Sequence, residues 1–158
     1  MNFMQINKKK EYDAVAEVKG NKENERINGK VYFKQTKDGV LVTAVIYGLP
    51  TSKINCQNNF FGFHIHEGNS CTGNEMDEFA NAKTHYNPKI CMHPHHAGDL
   101  PPLLENNGNA YMTVLTNRFN IEEIIGKVVI IHDKPDDFVT QPSGNSGTKI
   151  ACGEIKKI

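Results

Sequence analysis

Apolar and polar side chains alternate through YDAVAEVKG at 12–20, the period of a strand with one buried face. GKVYFKQTKDGVLVTAVIYGL at 29–49 shows two such runs around Lys37-Asp38-Gly39. Asp-Gly between alternating runs predicts a hairpin, because a tight turn needs residues that tolerate unusual backbone angles. NFFGFHIHE, NAYMTVLTN, GKVVIIHD and TKIACGEI are further strand candidates, rich in Val, Ile, Phe and Tyr. About seven or eight short strands separated by Gly, Asn and Pro turns predict an all-β sandwich or barrel. NIEEIIGK predicts a helical turn or a strand entry, and KGNKENERINGK a solvated turn. Residues 67–108 and 133–148 break the rhythm: both are long, polar and poor in strand signals. Loops of that length in a compact domain are usually functional or disordered. Residues 1–11 read as a flexible N-terminal extension and residues 12–158 as a single domain, with no internal repeat or linker.

Composition narrows the partners. At 158 residues the chain suits one domain with a substantial core. A net charge of zero and a pI near 7 point to neither nucleic acid nor an anionic membrane. No apolar run is long enough to span a bilayer. The opening MNFMQINKKKEYDAVAEVKG has no apolar stretch after its lysines, as a signal peptide would. The expected location is therefore cytoplasmic, with a cell or spore surface as the alternative. Cys56, Cys71, Cys91 and Cys152 form no C-x-x-C pair, which argues against a zinc ribbon or a thioredoxin-like motif. In a reducing cytosol free thiols are the default.

The histidines change the picture. There are seven, none in the first 63 residues. On a strand, residues two apart share a face, so His64 and His66 of GFHIHEG project together while Ile65 faces the other way. An arbitrary H-x-H pair is more often two polar residues on a wet face. Here Phe60, Phe61, Phe63 and Ile65 make the strand apolar on both sides, and two imidazoles in such surroundings need partners. A metal ion satisfies both at once. His132 ends the apolar run VVIIH. Alone it reads as a satisfied strand-end histidine, and beside an H-x-H pair as a third nitrogen ligand.

HYNPKICMHPHHAGDL, residues 85–100, adds His85, His93, His95, His96 and Asp99. Its fixed Asn-Pro and Ala-Gly-Asp punctuation argues against a tag or a loose metal-binding tract. Three histidines with one carboxylate suit tetrahedral zinc, and histidine nitrogens alone suit copper or zinc. With four protein ligands per site, the count closes if one imidazole serves two metals through its two nitrogens.

GFHIHE, HYNP, HHAGDL, VVIIHDKPDD and GNSGTKIACG, in this order, resemble the copper–zinc superoxide dismutases from about residue 12 to the end. The resemblance implies an eight-stranded Greek-key β-barrel with two long functional loops that hold both metals outside the barrel. It implies copper ligands His64, His66, His85 and His132, and zinc ligands His85, His93, His96 and Asp99, with His85 as the bridging imidazolate. His95 is the spare that could replace His93, because this segment is shortened relative to the family. Asp136 matches an outer aspartate that links a copper-ligand histidine to a zinc-ligand histidine and fixes their orientation. By itself DKPDD reads as a solvated acidic turn. Cys71 and Cys152 match the family's intramolecular disulfide, which it keeps even in the cytosol. Cys56 and Cys91 match no family role, and Cys91, within the metal loop, is more readily a free or buried thiol than a ligand. Lys149 stands where the family usually has an arginine that guides the superoxide anion. Lysine keeps the charge and loses the planar fork, so the expectation is retained but reduced activity. By itself Lys149 is an exposed loop lysine.

The implied chemistry is disproportionation of superoxide to dioxygen and hydrogen peroxide. It uses a copper ion for redox cycling, a structural zinc ion, and His85 as proton carrier. The superoxide anion is the expected substrate, and a homodimer is compatible with a family whose members associate through different interfaces or none. Two other readings compete: a non-catalytic copper- and zinc-binding protein on the same fold, and a cupin. Cupins need a glutamate a few residues beyond H-x-H, whereas Glu67 follows His66 directly. GNSGTK lacks the spacing of a phosphate loop, and neither H-E-x-x-H nor G-x-S-x-G occurs.

Overall fold

The computed structural model describes residues 11–52 and 59–158. The expected mobile segment 1–10 and Cys56 lie outside the described residues. Alternation becomes strand wherever it occurs: β1 (Ala14–Gly20), β2 (Asn28–Thr36), β3 (Gly39–Tyr47), β4 (Phe60–Phe61), β5 (Phe63–His66), β6 (Leu103–Leu104), β7 (Asn109–Thr116), β8 (Val128–His132) and β9 (Lys149–Lys157). Between β7 and β8 the IEEI segment forms α1 (Ile121–Ile124), a single turn whose entry is held by the Asn120 N–H donating to the Glu123 carboxylate. Among the described residues no helix is long and apolar enough to cross a membrane.

Seven strands form one curled antiparallel sheet in the order β5-β8-β9-β1-β2-β3-β7. The predicted hairpin is β2–β3, in register from Asn28↔Tyr47 to Thr36↔Gly39, with Lys37 and Asp38 as its turn. NFFGFHIHE is not one strand. Gly62 interrupts it, β4 pairs with β6, and β5 pairs with β8. β6 runs into β7 through a turn closed between Asn106 and Asn109, so the small β4–β6 ladder joins the two edges of the large sheet. With β4 and β5 taken as one broken strand, eight strands surround the core. The β3-to-β4 and β7-to-β8 connections pass between strands that are not neighbours, which is the Greek-key pattern.

The inner face is apolar throughout. Ala14, Ala16, Val31, Phe33, Val42, Ala44, Phe63 and Ile65 are fully buried in one cluster. Each large side chain of this kind contributes about 1.5–3 kcal/mol through removal from water. β8 is buried on both faces because two different layers cover it. Val129 and Ile131 enter the barrel core, while Val128 and Ile130 pack outward on Phe79, Ala82 and Cys152. That outer layer belongs to the 67–100 loop, fastened to β9 by the disulfide Cys71–Cys152. A run such as VVII therefore reflects a strand roofed by its own loop. The same roof covers the outward faces of His64 and His66.

Candidate metal centre

β5 delivers His64 and His66 outward by strand period, both buried, with Phe63 and Ile65 in the core. Its neighbour β8 delivers His132, at the point where the β8–β9 register slips between Ile131 and His132. Such a bulge re-aims a strand-end side chain. His132 N–H donates to the Gly62 carbonyl at 2.8 Å, so the break between β4 and β5 also seats this histidine.

The remaining residues arrive on the loop, which docks against β5 by backbone pairing. Tyr86 N–H donates to the Ile65 carbonyl at 2.8 Å, and Ile65 N–H donates to the Gly98 carbonyl at 2.9 Å. Gly98 is needed there: a Cβ at this position would lie 2.1 Å from the Ile65 oxygen. This approach sets His85 opposite His66 and Asp99 opposite His64.

Two groups result, each with ligand atoms within 4.8 Å of one another: His64, His66, His85 and His132, and His85, His93, His96 and Asp99. All seven residues are buried, and His85 belongs to both groups. His95 is exposed and in neither group, so His93 occupies the place that His95 was a candidate for. Cys91 is a half-buried free thiol, also in neither group.

The outer hydrogen bonds decide which ring nitrogen faces inward. A carbonyl only accepts, so His66 Nδ1–H donates to Lys83 O at 2.9 Å and His132 Nδ1–H donates to Gly147 O at 3.3 Å. Their Nε2 lone pairs then face each other at 3.3 Å, an arrangement that a cation between them reconciles. Asp136 accepts from His64 Nε2 at 2.8 Å and from His93 Nε2 at 2.9 Å, so one carboxylate ties the two groups together. Gly144 makes room for it, since a Cβ there would meet the Asp136 carboxylate at 2.1 Å. Asp99 accepts from His85 Nδ1 at 2.7 Å and faces His93 Nδ1 at 3.1 Å and His96 Nδ1 at 3.3 Å. Among the described residues, the buried side-chain nitrogens without a hydrogen-bond partner are His64 Nδ1, His85 Nε2, His93 Nδ1 and His96 Nδ1. Orphaned, convergent and buried nitrogens beside a carboxylate fit metal ions of the copper and zinc type.

Burial also sets the protonation states. It holds His64 down to about 4 against the hydrogen bond to Asp136. Burial, then the neighbouring His64, takes His132 down to about 3, with the Lys149 charge adding to the effect. His66 is lowered well below the usual imidazole range by burial and by His132 and His85, and His96 is lowered by burial. Burial opposes the ionisation of Asp99 and Asp136, yet both stay below the usual carboxylate range. The hydrogen bond from His85 prevails at Asp99; those from His64, the Phe138 N–H and His93 prevail at Asp136. Neutral imidazoles beside ionised carboxylates are the forms that metal binding requires.

Some supports escaped the sequence reading. Arg118 Nη1 donates to the carbonyls of Pro94, His96 and Asp99 at 3.1, 3.2 and 3.1 Å. Gln141 accepts from His93 N–H at 3.0 Å and donates to His93 O at 2.7 Å. Arg118 is one of two arginines in the chain, the only trace it leaves in the sequence. Lys149 lines the cavity beside His66, His85 and His132, and its ammonium is bound by the Asp77 carboxylate and by Phe79 O at 3.1 Å.

A family model for copper/zinc superoxide dismutase matches residues 27–155. The copper–zinc superoxide dismutase 1 of Aquifex aeolicus (strain VF5) is 34% identical over 151 residues, covering 86% of this chain and 83% of its own. The copper–zinc superoxide dismutase of Legionella pneumophila is 35% identical over 136 residues, 81% of this chain and 77% of its own. A superoxide dismutase-like protein of Bacillus subtilis (strain 168) is 37% identical over 110 residues, 60% of this chain and 54% of its own.

Proposed function

The chain belongs to the copper/zinc superoxide dismutase family, and we propose that it disproportionates superoxide to dioxygen and hydrogen peroxide. The observation that carries this reading is the shared His85. Its Nδ1 faces Asp99 in one group, and its Nε2 is buried without a partner in the other. His64 Nδ1 and the Nε2 atoms of His66, His85 and His132 would hold copper. The Nδ1 atoms of His85, His93 and His96, with Asp99, would hold zinc.

Bound copper supplies one-electron redox chemistry, and bound zinc supplies fixed charge and structure. The protein's own groups do the rest. Asp136 and the carbonyls of Lys83 and Gly147 fix three imidazoles in the tautomers that leave their inner nitrogens bare. Of the two unpartnered nitrogens in the first group, His85 Nε2 belongs to a residue that lines the open cavity and His64 Nδ1 does not, so His85 Nε2 is placed to hold a proton for the departing peroxide.

A second reading, a metal-binding protein without dismutase activity, is favoured by one observation: the Lys149 ammonium is engaged by Asp77. The protein loaded with copper and zinc, beside a His132→Ala variant, separates the two readings. Fast superoxide removal that collapses in the variant supports the dismutase. Zinc uptake without copper-dependent removal leaves the binding protein. We also propose a homodimer through the outer face of β3 and β7, where Tyr47, Tyr111 and Leu115 stand exposed. Sedimentation equilibrium of Tyr111→Arg tests it, and a wild-type monomer would exclude it.

A further inference from the structure

A separate cleft of about 300 Å³ is lined by the end of β7 and by the loops that carry His93 and Phe138. It shares no lining residue with the cavity over the first histidine group. Its walls are apolar: Pro94, Leu100, Pro101, Val114, Leu115 and Phe138. One cation lines it, Arg118, and one acid, Asp99. The Asp99 carboxylate is already spent on His85 Nδ1 and on the His96 N–H. Arg118 is half spent. Its Nη1 makes the three bonds to loop carbonyls, while its Nε–H and Nη2–H edge has no partner among the described residues. That edge is the side of the guanidinium that grips a carboxylate with two parallel hydrogen bonds.

Phe138 stands in this wall at a cost. Its φ of 59° lies in the left-handed region, which strains a bulky side chain. The backbone is held there because the Phe138 N–H donates to Asp136 at 2.7 Å. Glycine would make that bond without strain. What phenylalanine adds is a ring, 47% exposed and facing the cleft instead of the core. An aromatic wall and an open guanidinium edge in one small apolar cleft are the parts of a ligand site. The cleft is at the small end of such sites and suits one or two rings. A dianionic phosphate would leave oxygens unpaired against apolar walls, whereas a carboxylate spends both of its oxygens on the one guanidinium edge.

We propose that this cleft binds a small aromatic carboxylic acid, with the carboxylate on Arg118 and the ring against Phe138, Leu115 and Pro101. The site is distinct from both histidine groups, and the proposal rests on neither reading of the metal centre.

The test is titration of the metal-loaded protein against 2-naphthoate and its neutral counterpart 2-naphthamide, read by the fluorescence anisotropy of the probe. The wild type binds the acid about 10-fold more tightly than the amide. Arg118→Gln weakens the acid about 10-fold and changes the amide less than about 2-fold, which separates a lost charge from a collapsed cleft. Arg118→Lys keeps the charge without the fork and recovers part of the loss. Phe138→Gly weakens acid and amide alike, about 5-fold, while its melting temperature does not fall because the backbone strain is relieved. No binding of 2-naphthoate by about 1 mM overturns the proposal. So does equal wild-type affinity for acid and amide, parallel loss of both in Arg118→Gln, or unchanged affinity in Phe138→Gly. Displacement of the acid by azide would place it on a metal, and an affinity that falls with rising protein concentration would give the cleft to a second copy of the chain; either result overturns the proposal.

Discussion

His64, His66 and His132 stand on strands; His93, His96 and Asp99 stand on a loop; and the two sets are held by different forces. The strand set is fixed by the β5–β8 ladder, whose hydrogen bonds would exist whatever the side chains were. The loop set is fixed by particular side chains: Arg118 on three carbonyls, Gln141 on the His93 backbone, and Asp99 accepting from His96 N–H at 3.0 Å. The disulfide fastens the same loop to the barrel wall. A strand gives precision through repetition, whereas a loop reaches comparable precision only through many separate ties, each removable.

The comparison is sharpened most by cutting the disulfide. Cys71→Ser frees a closure spanning 81 residues, with an expected loss of about 4 kcal/mol of stability in denaturant unfolding. Metal affinity in the loop group falls further than in the strand group. Equal losses in the two groups would break the comparison.

Acid reads the strand group instead. In the metal-free protein His64 is held down to about 4 and His132 to about 3, from 6.5 in an unfolded chain. Below 6.5 the unfolded chain binds protons that the folded chain refuses, so stability is level above that pH and falls as pH drops toward 4. The His64 contribution is on the order of 3 kcal/mol. Melting temperatures between pH 8 and pH 4 check it; a flat profile would show that these imidazoles are not protected from protons.

Asp136→Asn tests a side-chain tie shared by the two regions. Loss of its ionised acceptor lowers metal affinity about 10- to 100-fold in both groups, by competition against a metal-sensing dye. A loss confined to one group would show that Asp136 supports only one of its two imidazoles. Arg118→Gln is the mildest cut. About 1–2 kcal/mol of stability goes with the guanidinium hydrogen bonds, zinc is released several-fold faster, and copper retention is unchanged.

Much of the strand side was readable in advance. Period two put His64 and His66 on one face and Ile65 on the other, and the structure places them so. The hairpin at Lys37-Asp38 was readable for the same local reason, whereas IEEI allowed a helical turn or a strand entry and forms a one-turn helix. Gly62 was less so. Nothing local distinguishes a strand with a glycine from two strands in two sheets; the separate partners of β4 and β5 make that difference.

The sequence by itself determined the β-rich class, the outward histidine pair and the set of chemically able side chains, because strand period and residue chemistry are local properties. Only the tertiary structure decided that His93 and not His95 enters the group, since that depends on Gln141 and Asp136 arriving from 48 and 43 residues away. It also decided that the Lys149 ammonium is engaged by Asp77, which lies 72 residues away in the chain. Charge is a property of a residue, but the field it exerts depends on the neighbours that folding brings to it.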